Sequence, residues 1–216
     1  LCKLQLRVRF SPDPVLYMSN ITQFILDVIE DCSTRGVTVN LVPESKIKIG
    51  IGDLSGVWDE EDMSISVAVL NDDWVKVLAH EYSHFCQFKD CEFATDEENA
   101  AFNDIDEWLE NKIELSKEQI DSKIKIIQDC ELDCEKRTVE LIKKYNLDKE
   151  KNISKYIQRS NAYVLSYEIL KTKRKWFDSS AHGRRAIISK MPKDFVSDYS
   201  ISEDLKELMI KECYDD

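Results

Sequence analysis

The string His80-Glu81-Tyr82-Ser83-His84 constrains this chain more than any other feature. It lies within residues 74–88, whose apolar positions recur at helical spacing, and Asn71-Asp72-Asp73 supplies an N-cap and first-turn acids for that helix. At 3.6 residues per turn, His80 and His84 stack on one face, so both imidazoles can reach one metal ion. Glu81 sits beside them, able to take a proton from a water on such an ion but not placed as a third ligand. The flanking Val77, Leu78, Ala79 and Phe85 put the helix in a core, against the plainer reading of two histidines on a solvated face. The chain has 3 histidines, and this string holds two of them.

A catalytic zinc has three protein ligands and one open position. A third ligand must therefore come from elsewhere. Asp90 stands six residues past His84 and would serve if the helix turned sharply. Gln87, however, occupies the position where such a turn needs glycine, and Phe85, Cys86 and Phe88 continue the helix. The better candidate lies on a long helix expected over residues 116–145. There Ile120, Ile124, Ile127, Glu131, Cys134/Glu135, Thr138, Leu141/Ile142 and Tyr145 follow three- and four-residue steps along one face. Glu131 and Glu135 thus fall inside an apolar stripe, where a carboxylate needs a partner. A zinc ion for Glu131 and the second ring nitrogen of a ligating histidine for Glu135 would satisfy both. The alternative puts both acids at the stripe's edge, paired with Lys136 or Arg137.

The 7 cysteines form no C-x-x-C pair and read as reduced thiols. Cys130 and Cys134, four apart on the same helix, are able to bind metal but read more simply as small packing residues.

Elsewhere, Leu4, Leu6, Val8 and Phe10 alternate as a half-buried strand does. A helix is expected over 15–32 and strands over 37–42, 46–51 and 64–70. Beyond Asp90 only Gly183 and Pro192 interrupt a charged, helical pattern, with helices expected over 96–112, 116–145, 151–176 and 202–213. The expected architecture is α+β: one domain over 1–216, with a small mixed sheet and helices in 1–90 and a mainly helical lobe in 91–216.

With 216 residues and 43% hydrophobic content, the chain can bury a sizeable core. A net charge of −12 argues against a nucleic-acid partner. The basic residues between Lys171 and Lys193 read as a solvated face. No run of about 18 apolar residues exists to span a membrane. The first ten residues lack the apolar block of a secretory signal, so a cytoplasmic location is expected.

H-E-x-x-H on one helix followed by Glu131-Leu132-Asp133-Cys134-Glu135 on a second resembles the gluzincin branch of zinc metallopeptidases. The resemblance implies one zinc ion with His80, His84 and Glu131 as ligands, Glu81 as general base and Glu135 orienting a ligand histidine. It departs from the family's pattern at Glu135, where aspartate is commoner, and at Cys134, where alanine often sits. The wider string from Cys130 to Arg137, with Ser160-Asn161-Ala162-Tyr163 and Arg174-Lys175-Trp176, also resembles predicted metallopeptidase-like proteins of tailed bacteriophages. Over residues 60–196 that likeness implies a zincin fold and a site of action in a host cytoplasm or virion. The implied activity is hydrolysis of a peptide or protein substrate, with His182, Tyr163 or Tyr167 as oxyanion donor. In zincins an edge strand near the metal helix pairs with extended peptide, and residues 64–70 or 46–51 are the candidates here. The rival readings are a non-catalytic zincin-fold binding protein and a zinc hydrolase acting on something other than peptide.

Overall fold

The computed structural model describes residues 14–49, 52–90, 96–148, 152–177 and 183–214. The strand expected over Leu4 to Phe10 lies outside them. The described residues show a mixed α+β architecture, mostly helical, with a three-stranded and a two-stranded sheet. They form two compact units, one of residues 14–81 and 140–148, the other of residues 82–139 and 152–214.

The first unit opens with α1 (Pro14–Ser33) and continues through β1 (Thr38–Val42), β2 (Ile47–Ile49), β3 (Gly52–Leu54), β4 (Gly56–Asp59) and β5 (Ser64–Ala68). Ile21, Phe24, Val28 and Cys32 of α1 are buried at helical spacing, and Phe24 packs its ring 5.2 Å from that of Tyr145. Strand order in the main sheet is β1-β5-β4. β5 runs parallel to β1, from Thr38 opposite Ser64 to Val42 opposite Ala68. It runs antiparallel to β4, with Gly56 opposite Val67 and Asp59 opposite Ser64. Burial of Ile65 and Val67 on β5 follows the strand's period of two.

Of the two candidates for an edge strand, this topology removes residues 64–70 and leaves 46–51, whose β2 pairs on one side only among the described residues. Residues 64–68 are the centre of the sheet and pair on both sides, while β2 belongs to a separate hairpin with β3. The edges of the three-stranded sheet are β1 and β4. β4 carries two polar or small residues in four and has no alternation strong enough to read from sequence.

A turn over Asn71–Asp73 leads into α2 (Trp74–Asp90). Asn71 Oδ1 accepts the Asp73 amide at 2.9 Å, and the Asp73 carbonyl accepts the amides of Lys76 and Val77, which starts the helix as expected. Val75, Leu78 and Ala79 are buried, so this stretch of α2 faces a core.

The second unit contains the rest of α2, α3 (Asp96–Leu109), α4 (Lys117–Tyr145) up to Val139, α5 (Ile153–Lys173), the single turn α6 (Arg185–Ile188) and α7 (Glu203–Tyr214). One core joins Ile105 and Trp108 of α3 to Ile124 and Ile127 of α4 and Tyr167 and Leu170 of α5. A second joins Leu165 and Ile169 of α5 to Ile187, Met191, Met209 and Cys213. Asn161, fully buried on α5, ties down the 192–196 segment by donating to the carbonyls of Pro192 and Asp194 and accepting the Val196 amide. Ser160 and Tyr163 of the same helix face α4, where they meet Glu135 and Glu131.

Candidate metal centre

The apolar stripe on α4 is buried as its spacing requires. Ile124, Ile127, Cys134, Thr138 and Ile142 are buried, and Glu131 and Glu135 among them are only 5% and 7% exposed. Two carboxylates at such depth need partners within the fold. Glu131 Oε1 accepts a hydrogen bond from the Tyr163 hydroxyl at 2.9 Å, and its Oε2 lies 3.6 Å from His84 Nε2. Glu135 Oε2 accepts from Ser160 Oγ at 2.6 Å, and the Tyr156 hydroxyl is a further partner of that carboxylate.

His80 and His84 stand one turn apart on α2, both part-buried. Cys134 of α4 joins them. One potential ligand atom from each of the three residues lies within 4.8 Å of the other two, and the group can hold a metal ion. Donors bound tetrahedrally to zinc at 2.0–2.3 Å stand roughly 3.3–3.6 Å apart, so an ion would draw the group together by an order of 1 Å at most. Imidazole nitrogen and thiolate are the donors that zinc prefers over the all-oxygen sets of calcium or magnesium. The residues fit the ion.

Glu131 is brought to His84 but is not a member of that mutual group. Its 3.6 Å approach to the ring is too long for a hydrogen bond and suits two ligands of a common ion. Cys134, read from sequence as a packing residue, is the donor that sequence reasoning undervalued. Asp90 is elsewhere: its Oδ2 takes Arg137 Nη1 at 2.7 Å, and Arg137 Nε also reaches Asp133 at 2.7 Å. Those ion pairs occupy Arg137 on the side of α4 that carries Asp133.

Gln87 is the second residue that sequence reasoning passed over. It is 1% exposed, and its Oε1 lies 2.9 Å from His84 Nδ1. Its amide nitrogen donates to the Cys130 carbonyl at 2.9 Å and to Asp133 Oδ2 at 3.0 Å. These two donations fix which end of the amide faces the ring, so the oxygen accepts Nδ1–H and Nε2 is directed toward Glu131. Glu135 was expected to orient a ligand histidine; for His84 that part falls to Gln87. A glutamine three residues beyond a ligand histidine, on the same helix face, was the available signal.

Burial acts to lower the His84 imidazole's pKa, but Cys134 and Glu131 beside it outweigh burial and hold it well above the usual 6.5. A proton on this ring supplies the positive charge that an ion would bring to the same place. Burial, then the Glu131 charge, pushes the Tyr163 and Tyr167 phenols well above their ordinary value, so both remain neutral donors. Tyr163 has one hydroxyl proton and gives it to Glu131, so its 3.1 Å contact with the Tyr167 hydroxyl has Tyr167 donating. The two tyrosines form a relay ending on Glu131 rather than a pair aimed into open space. His182 lies outside the described residues.

Glu81, 8% exposed, faces the start of β4. A Cβ added to Gly56 would stand 2.6 Å from Val77 Cγ1, 2.9 Å from Glu81 Cγ and 3.0 Å from Glu81 Oε1. The strand edge can lie this close to the carboxylate only because residue 56 has no side chain.

The basic stretch on and after α5 is engaged with acids of its own unit. Lys171 meets Asp121 and Glu168, and Arg174 stacks over Trp108 while bonding Glu114. Among the described residues no helix is long and apolar enough to cross a membrane. No family model, curated protein or solved structure matches the chain.

Proposed function

We propose that the protein is a zinc-dependent metallopeptidase of zincin-like fold that hydrolyses peptide bonds in a peptide or protein substrate. The observation that carries the reading is the convergence of His80, His84 and Cys134 on one point, with the carboxylate of Glu81 next along the same helix. His80, His84 and Glu131 are the zinc ligands in this reading, and Gln87 and Tyr163 hold His84 and Glu131 in place. Zinc bound there would polarise a peptide carbonyl and acidify a water. Glu81 would accept a proton from that water and pass it to the leaving amine. Its close packing against Gly56 keeps it beside β4, which is an edge strand of the sheet among the described residues and where an extended substrate can add as a further strand through backbone hydrogen bonds. The tyrosine pair and His182 are the candidates for oxyanion donor, and a host cytoplasm or virion is the proposed place of action.

Metal analysis and digestion of a peptide library, run on wild type and Glu81→Gln, test this. The expected result is one zinc per chain in both proteins and hydrolysis by the wild type alone. Absence of bound zinc, or equal hydrolysis by both, overturns the proposal.

A further inference from the structure

Three donors form the mutual group, and a fourth, Glu131, approaches one of them. Cys134 is fully buried on α4, one turn on from Glu131 on the same face. Its thiol lies with the two imidazoles inside the 4.8 Å group and reaches the His84 ring within hydrogen-bonding range. Glu131 Oε2 approaches the same ring from 3.6 Å. Cys130, the neighbouring thiol, also reaches the His84 ring and donates to Gln87 Oε1, with its Sγ 3.8 Å from that oxygen. What separates the two cysteines is reach to both imidazoles: Cys134, and not Cys130, belongs to the mutual group with His80 and His84.

Closed tetrahedral zinc sites use four protein donors, whereas hydrolytic sites leave one position open. Charge favours the closed set here. Two neutral imidazoles, a carboxylate and a thiolate balance a divalent cation, whereas the set without the thiolate leaves one net positive charge. Glu131 and Cys134 are both buried, where an unbalanced charge is costly.

We propose that Cys134 is a fourth metal ligand, so that His80, His84, Glu131 and Cys134 form a closed resting site whose activity is limited by the thiolate. This rests on the metallopeptidase reading and adds its regulation: the position a substrate needs is the one Cys134 fills. Anything that keeps Cys134 off the ion, including substitution by a weaker donor, opens the site.

The test uses the full chain loaded with Co2+, whose thiolate complexes show a sulfur-to-metal charge-transfer band in the near ultraviolet. The wild type should show that band. Cys134→Ser should lose it while still binding one metal ion, and Cys130→Ser should keep it. With zinc, Cys134→Ser should hydrolyse peptide several-fold faster than wild type, with unchanged far-ultraviolet circular dichroism. Stoichiometric Co2+ binding that depends on His80 and His84 but shows no thiolate band overturns the inference and leaves the metallopeptidase reading standing. Complete loss of metal from Cys134→Ser, with metal retained by Glu131→Gln, makes the thiolate the third donor and overturns the closed set. No metal binding by the wild type, or binding indifferent to His80→Ala and His84→Ala, removes both readings together.

Discussion

Oε1 of Gln87 lies 2.9 Å from Nδ1 of His84, and Cys130 and Asp133 hold the other end of its amide. A residue that bonds the outer nitrogen of a metal-ligating histidine fixes ring orientation and tautomer, and its loss usually weakens metal binding 10–100-fold. Gln87→Met keeps the side chain's length but removes the acceptor. Zinc affinity of this variant, measured by competition with a chromophoric chelator, should fall by about that 10–100-fold factor. Gln87→Glu, which restores an acceptor at the same reach, should recover part of it. Wild-type affinity in a folded Gln87→Met protein would show that the contact does not position the ring.

Tyr163 can act in two ways that kinetics separates. Its hydroxyl donates to Glu131 at 2.9 Å, which makes it a positioning residue for the proposed ligand. Tyr163→Phe should then lower zinc affinity by roughly tenfold, the low end for such supporting residues, with kcat recovering at saturating zinc. An oxyanion donor would behave oppositely: zinc affinity would hold, and kcat would fall about 10²–10³-fold even when fully loaded. Tyr167→Phe, one step further along the relay, should have the smaller effect on affinity.

The helices were legible from sequence because their apolar residues repeat at 3.6-residue spacing over long stretches. α1, α2, α4 and α7 fall within two residues of their expected limits, and the burial of Glu131 and Glu135 was readable from the stripe on α4. Short strands carry far less signal. β4 has four residues, one of them Gly56, and its place at the sheet edge comes from pairing with residues near Val67, a non-local fact. The same holds for the centre. Periodicity gives the face on which Cys134 and Gln87 sit, but not which neighbour each one meets. Cys134 was read as a packing residue because a buried small thiol suits a core equally well, and only the approach of α2 gives it another use. At Gln87 the sequence shows the absence of a turn-forming glycine, and spacing alone does not say what its amide bonds.

Gly56 makes a sharper test of the strand edge. A methyl at that position must displace Val77 or Glu81, since it would stand 2.6 Å from one and 2.9–3.0 Å from the other. Overpacking of this kind costs about 1–3 kcal/mol. Gly56→Ala should lose that much stability in urea melts, and its peptidase activity should fall further than the folded fraction explains, because Glu81 is moved. Gly36→Ala is the matched control. Gly36 has a φ of +74° and nothing within 4 Å of an added Cβ, so its cost is backbone strain of about 1 kcal/mol, with no effect on turnover per folded molecule. Equal losses of specific activity in the two variants would show that the Gly56–Glu81 approach has no bearing on hydrolysis.

Removing the metal should destabilise the protein in proportion to how tightly the site holds it. A ligand that binds only the folded state at 100 times its Kd contributes about 2.7 kcal/mol. For a chain of this size each kcal/mol moves Tm by about 2–4 °C, so zinc should raise Tm by roughly 5–10 °C over chelator-treated protein. The shift should grow with free zinc concentration and should vanish in His84→Ala. Magnesium should produce none of it, because a small hard cation selects oxygen donors and gains little from two imidazoles and a thiol. A zinc-dependent shift that survives His84→Ala would place the bound ion at some other group of residues, and an equal shift with magnesium would point to surface carboxylates rather than to the His80, His84 and Cys134 cluster.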